Sequence, residues 1–190
     1  GALGPTFNAT VSGNPIPISG NALNLSSTSG VISTATTASL TGVRLIFVVN
    51  VENIVNLTRF FGHVNGAINW EISASVNASG LVVQGRYTSG TTVVLSNSPR
   101  IKLPASGFCL IEVEFSATQW KTWINGVAAT GTNTSVSDFY ISTIGSGLRN
   151  TDRFIGLMGD VVRVLTGRGD STAAISAVKS VLNGKFGTPL

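Results

Sequence analysis

Apolar residues recur along this chain at alternate positions, in short blocks parted by clusters of Gly, Ser, Thr and Asn. Alternation with a period of two sends successive side chains to opposite faces of an extended backbone, so each block predicts a strand. The predicted strands are Ala22–Leu25, Val31–Thr34, Val43–Val51, Arg59–His63, Asn69–Ser75, Gly80–Tyr87, Thr91–Ser96, Phe108–Phe115, Trp120–Ile124, Phe139–Ile144 and Phe154–Leu165. Turn residues spaced about 8–12 positions apart suit a β-sandwich. One segment departs from this period. Ile175, Val178 and Leu182 recur at helical spacing, which predicts a single terminal helix over residues 171–183. Asp170 is placed to cap it by accepting hydrogen bonds from the first free amides, and Asn183-Gly184 is the expected stop. Lys179 is expected to lie toward solvent, with the apolar stripe on the outside or edge of the sandwich.

The connections carry their own chemistry. Asn125-Gly126 supplies the two positive φ angles of a type I′ hairpin, and Asn65-Gly66 and Ser89-Gly90 are weaker versions of it. Pro99 and Pro104 restrict the residues between them to an edge or a loop. Residues 1–20, rich in Gly, Pro and Asn, read as an extended lead-in, packed on the domain edge or joining something upstream. The chain begins Gly1-Ala-Leu-Gly-Pro5 without Met, which is read as a fragment or processed product.

Composition narrows the class. At 190 residues one domain with a full core is expected. Charged residues make up 11%, against about 25% in an average soluble domain. The 43% hydrophobic fraction excludes disorder. The net charge of +4 is spread without any cluster of three bases, so a nucleic-acid partner is not expected, since displacing counterions needs several cations on one face. No apolar run reaches the length of a membrane-spanning helix, and membrane insertion is not expected.

Candidate chemistry is sparse. Cys109 is the one cysteine, so no internal disulfide forms. It shares a strand face with Ile111, Val113 and Phe115 and reads as a small core residue. Glu112 and Glu114 share the opposite face, which reads as a solvated strand face with cations nearby; two carboxylates without a cleft partner do not make an acid/base pair. His63 has no second His or nearby Cys for zinc. No Gly-x-Ser-x-Gly run is present to mark a nucleophile. Arg168-Gly169-Asp170 matches an adhesion tripeptide, but Asp170 already serves the helix as its cap. The amphipathic rings remain: Trp70, Tyr87, Trp120, Trp123 and Tyr140. Such rings stack on the C–H faces of sugars, while amides and guanidinium groups bond the hydroxyls. The ligand-binding candidates are Trp70, Arg86, Tyr87, Trp120, Tyr140, Arg149 and Asn150.

Three segments together resemble the concanavalin A-like jelly-roll sandwich, in its laminin-G-like branch. They are Ile111-Glu-Val-Glu-Phe-Ser-Ala-Thr-Gln-Trp-Lys-Thr-Trp-Ile-Asn-Gly126, the closing strand Arg153-Phe-Ile-Gly-Leu-Met-Gly-Asp-Val-Val-Arg-Val-Leu165, and the helix ending Leu182-Asn-Gly-Lys-Phe-Gly187. The resemblance covers residues 21–187. It implies an all-β fold of two antiparallel sheets with one C-terminal helix, occupying residues 21–190, and ligands at a concave face or rim loops. Some members bind calcium through Asp and Asn; here Asn150 and Asp152 are the candidates, and the shortage of acids favours no metal and no cofactor.

The reading that results is non-catalytic recognition of a glycan or cell-envelope surface. By analogy, the setting is a receptor-binding domain of a phage tail fibre or similar virion appendage, extracellular or on the virion. Its partners would be a glycan or bacterial cell-surface receptor and other virion proteins, with a homotrimer at a fibre tip. The alternatives are a structural decoration or assembly module that binds only protein, and a glycan-cleaving enzyme of the same fold.

Overall fold

The computed structural model describes residues 9–12, 14–16, 18–25, 31–39, 41–50, 58–65, 68–77, 80–89, 92–97, 107–116, 119–128, 133–134, 140–145 and 154–188. Among them the strands are β1 (Ala9–Ser12), β2 (Ile18–Ser19), β3 (Ala22–Leu25), β4 (Val31–Ser39), β5 (Val43–Asn50), β6 (Thr58–Asn65), β7 (Ile68–Asn77), β8 (Gly80–Ser89), β9 (Thr92–Asn97), β10 (Phe108–Phe115), β11 (Gln119–Ile124), β12 (Val127–Ala128), β13 (Asn133–Thr134), β14 (Tyr140–Ile144) and β15 (Gly156–Leu165). The helix α1 spans Ser171–Phe186. The strands form two antiparallel sheets, in the orders β1-β4-β14-β6-β7-β8-β9 and β12-β11-β10-β5-β15-β3-β2, with β13 also on β11. This is the expected jelly-roll sandwich with one helix. Within the lead-in, β1 and β2 supply one edge strand to each sheet.

The core lies between the sheets, where aromatic rings dominate. Phe47 meets Phe60 at 5.2 Å and Phe61 at 4.9 Å between ring centroids, and Phe60 continues to Phe154 at 5.5 Å. Two adjacent phenylalanines both reach the core because a bulge interrupts β6 between Arg59 and Phe61. An extra residue in one strand breaks the strict alternation of faces. Cys109, Ile111, Val113 and Phe115 all join this core, as their shared parity predicted.

β5 reads as an almost unbroken apolar run because both of its faces are covered. Leu45, Phe47 and Val49 face the sandwich core, while Ile46 and Val48 join Leu110, Val164 and Leu182 in a second apolar layer beneath α1. Ala174, Ile175, Val178 and Phe186 complete that layer from the helix side. The helix therefore caps the outer face of the second sheet.

Both ends of α1 differ from expectation. Asp170 occupies the N-cap position, but its side chain makes no capping hydrogen bond; only its carbonyl joins, accepting from the Ala174 amide at 3.0 Å. The helix also runs past Asn183-Gly184 to Phe186 and stops at Gly187, which is left-handed at φ 66°. Tertiary packing explains the extension. Gly159 lies in a bulge of β15, and a β-carbon there would stand 2.6 Å from the Phe186 ring. The missing side chain makes room for Phe186, whose ring also meets Phe108 at 5.1 Å. Next to it, Lys185 Nζ lies 2.8 Å from both carboxylate oxygens of Asp160. These contacts outweigh the roughly 1 kcal/mol penalty of a glycine inside a helix.

The Asn125-Gly126 turn forms as predicted, with φ 51° and 76° and Ile124 paired to Val127. Asn125 is also tied to β10: its amide donates to the Leu110 carbonyl at 2.8 Å, and its Oδ1 accepts from the Leu110 amide at 2.9 Å.

Candidate functional site

Strand alternation and the helix together build a charged cluster on the outer face of the second sheet. Arg44 follows the parity of Ile46 and Val48, and Glu112 and Glu114 follow that of Leu110. Glu112 is the register partner of Trp123. Arg44 bridges the two acids. Its Nε donates to Glu114 Oε2 at 2.8 Å, its Nη2 lies 2.6 Å from the same oxygen, and its Nη1 donates to Glu112 Oε2 at 3.1 Å. The guanidinium also lies 4.0 Å from the Trp123 ring centroid, a cation–π contact.

Lys179 reaches this cluster from α1, so it is turned inward rather than to solvent. Its Nζ is 2.9 Å from Glu112 Oε1, an ion-pair contact off the hydrogen-bonding direction. Glu112 itself has no exposed surface. The expected solvated strand face is thus corrected at Glu112, whose charge is sealed beneath the helix between two cations. Glu114 stays about one-fifth exposed. Neither Arg44 nor the inward turn of Lys179 was evident from sequence. The available signal was a lone Arg inside the apolar run of β5, on the same parity as two acids of a neighbouring strand.

Arg44, Thr172, Ile175, Ser176 and Lys179 line an open groove of about 400 Å³ beside this cluster. Thr172, Ile175, Ser176 and Lys179 recur at three- and four-residue steps and so share one helix stripe. The wall combines cations, hydroxyls and one aliphatic flank.

Of the predicted ligand residues, the backbone brings three together. Trp70 in β7 is the register partner of Tyr87 in β8, and the adjoining Arg86 is paired with Glu71. His63 of β6 stands opposite Trp70 on the other side. Tyr140 begins β14, with β6 between it and the strand of Trp70. Trp120 is in the other sheet, paired to Phe115 and Asn133. The side chains of Trp70, Arg86, Tyr87, Trp120 and Tyr140, and the whole of Arg149, Asn150 and Asp152, lie outside the described residues. So do Pro99 and Pro104. Among the described residues, no three of His, Cys, Asp and Glu converge as metal ligands. Cys109 is fully buried, and desolvation raises its thiol pKa to about 11, partly opposed by a side-chain hydrogen bond with Asn125.

No protein-family model and no curated protein matches the sequence. Solved structures do match by shape. The chain is similar to domain 4 of AbnA, a GH43 extracellular arabinanase from Geobacillus stearothermophilus in complex with arabinotriose. That match has a TM-score of 0.63 at 15% identity and covers 82% of this chain and 81% of that one. It is also similar to the enzymatically active domain of tailspike protein 2 of bacteriophage CBA120, with a TM-score of 0.59 at 15% identity. There it covers 88% of this chain but spans only 29% of the tailspike chain. A heptameric SAP-like pentraxin from Limulus polyphemus matches at TM-score 0.52 and 13% identity, over 75% of this chain and 73% of that one. At these identities the likeness is one of fold, and it agrees with the concanavalin A-like sandwich.

Proposed function

We propose that this domain recognises a glycan or cell-envelope surface without cleaving it, as the receptor-binding domain of a phage tail fibre or similar virion appendage. The observation that carries the glycan reading is the match to the arabinanase domain solved with arabinotriose. It extends over 82% of this chain and 81% of that one, so the likeness is domain to domain. The match of 88% of this chain to part of a phage tailspike supports the virion setting. A non-catalytic role is supported by the acids themselves. Glu112 is sealed and both acids are held by cations, whereas glycoside hydrolysis needs two carboxyl groups flanking an accessible bond. In that setting the partners are a bacterial surface glycan and other virion proteins, and the oligomer is a homotrimer.

A glycan array, run beside binding to intact bacterial cells and a solution mass measurement, tests this reading. Binding to a defined glycan class without product release supports it. Binding to a virion protein alone, with no glycan or cell bound, would overturn it in favour of an assembly module.

The matched tailspike domain is described as enzymatically active, which favours glycan cleavage as the second reading. Release of reducing ends from a bound glycan by the purified chain would establish it.

A further inference from the structure

We infer that the groove between the first turns of α1 and Arg44 of β5 is a subsite for a single neutral saccharide unit. The inference rests on the glycan reading above and gives it a location and a charge preference. The groove, at about 400 Å³, is of ligand-pocket size.

Its wall is rich in unspent hydrogen-bonding capacity. Three of the five guanidinium N–H groups of Arg44 are engaged by Glu112 and Glu114, which leaves the other two. The Lys179 ammonium holds Glu112 Oε1 at 2.9 Å, which leaves two of its three N–H groups for other acceptors. Exposed Thr172 and Ser176 contribute hydroxyls, each of which can donate and accept. Ile175 adds an apolar flank. Donors, acceptors and a small aliphatic surface within one groove match the alternating hydroxyls and C–H faces of a sugar ring.

Charge selects among sugars. Arg44 and Lys179, the two cations of the wall, are already paired with Glu112 and Glu114, neither of which lines the groove. An anionic ligand would have to compete with carboxylates already bound to both cations. A neutral pentose or hexose needs no such exchange.

The test titrates the isotope-labelled full chain with arabinose, galactose, glucose and rhamnose, and in parallel with galacturonate and inorganic phosphate, following backbone amides by NMR. At least one neutral sugar should shift the amides of residues 172–179 and Arg44, with the anions no tighter. Ser176→Ala and Thr172→Ala should each weaken binding roughly 2- to 12-fold, the range for one hydrogen bond. Ser176→Trp should fill the groove and abolish binding while leaving the thermal melt unchanged, because Ser176 is exposed. No neutral-sugar shift at these amides, or tighter binding of galacturonate or phosphate, overturns the inference. A glycan array separates it from the reading beneath it. If Ser176→Trp keeps the full array signal, this subsite is wrong while glycan recognition stands; if neither form binds any glycan, both are wrong.

Discussion

Lys179 of the terminal helix stands 2.9 Å from Glu112, an acid with no exposed surface in a central strand of the second sheet. The helix is therefore held by charge as well as by its apolar stripe. A sealed carboxylate is tolerated only while its cations stay in place. Arg44→Met should cost about 3–5 kcal/mol, because it strips three contacts to the two acids and leaves Glu112 with Lys179 alone. Lys179→Met should cost less, since Arg44 remains and Lys179 is poorly aligned. The paired variant Arg44→Met with Glu112→Leu should recover most of the loss, because an apolar pair of similar volume is often neutral or better. Urea denaturation of all variants checks the order. Equal losses for Arg44→Met and Lys179→Met would contradict the geometry.

Gly159 and Phe186 make a second tie between helix and sheet. A β-carbon at residue 159 would stand 2.6 Å from the ring. Gly159→Ala should therefore displace the ring and cost about 1–3 kcal/mol, the usual range for overpacking. Phe186→Leu leaves room for the new methyl, so the double variant should be less unstable than the sum of the singles. A double-mutant cycle by thermal or chemical denaturation reads that coupling. Full additivity would mean that the two residues do not compete for space.

How much of this was legible in sequence follows from where the deciding interactions lie. Strand parity is local, and it placed Cys109, Ile111, Val113 and Phe115 in the core and Glu112 and Glu114 on the other face. The Asn125-Gly126 turn is local too, and it formed as its residue types require. What sits on the far face of a strand is not local. The solvated face assigned to Glu112 became a buried one because a helix some sixty residues later in the chain covers it. The end of α1 was misplaced for the same reason: Asn183-Gly184 is a good local stop, yet Phe186 is drawn onward by Gly159 of β15. Of the ligand candidates, Trp70 and Tyr87 are register partners on strands that adjoin in sequence, which is why their pairing was within reach of a local reading.

Asn125 combines two roles that substitution can separate. It holds φ at 51° and also returns a hydrogen bond to the Leu110 amide on β10. Asn125→Gly keeps the backbone conformation and loses only the side-chain bond, a cost of about 1–2 kcal/mol. Asn125→Ala loses the bond and adds the left-handed penalty, for a total of about 2–4 kcal/mol. Hydrogen exchange of the Leu110 amide should quicken in both variants. Equal stability of the Gly and Ala forms would show that the turn conformation contributes nothing.

Cys109 offers a pH test of the core itself. Burial raises its thiol pKa from an ordinary 9.0 to about 11, so the folded chain holds this proton more tightly than the unfolded chain does. Below pH 9 the thiol is protonated in both states and adds no pH dependence. Between pH 9 and 11 the unfolded thiol ionises while the folded one does not, and stability falls by up to about 1.4 kcal/mol per pH unit, roughly 2–3 kcal/mol across the window. Lys and Tyr side chains titrate in the same range, so the informative quantity is the difference between the parent chain and Cys109→Ala. At pH 8 the alanine variant should be the less stable, because it leaves a small void beside Ile111 and Val113. As pH rises toward 11 that gap should close and then reverse, since the variant has no thiol to ionise. Urea denaturation at half-unit steps from pH 8 to pH 11 measures it. A gap that stays constant across the series would mean that the Cys109 thiol ionises as readily in the folded chain as in the unfolded one, and that the layer between the sheets is wet at this position.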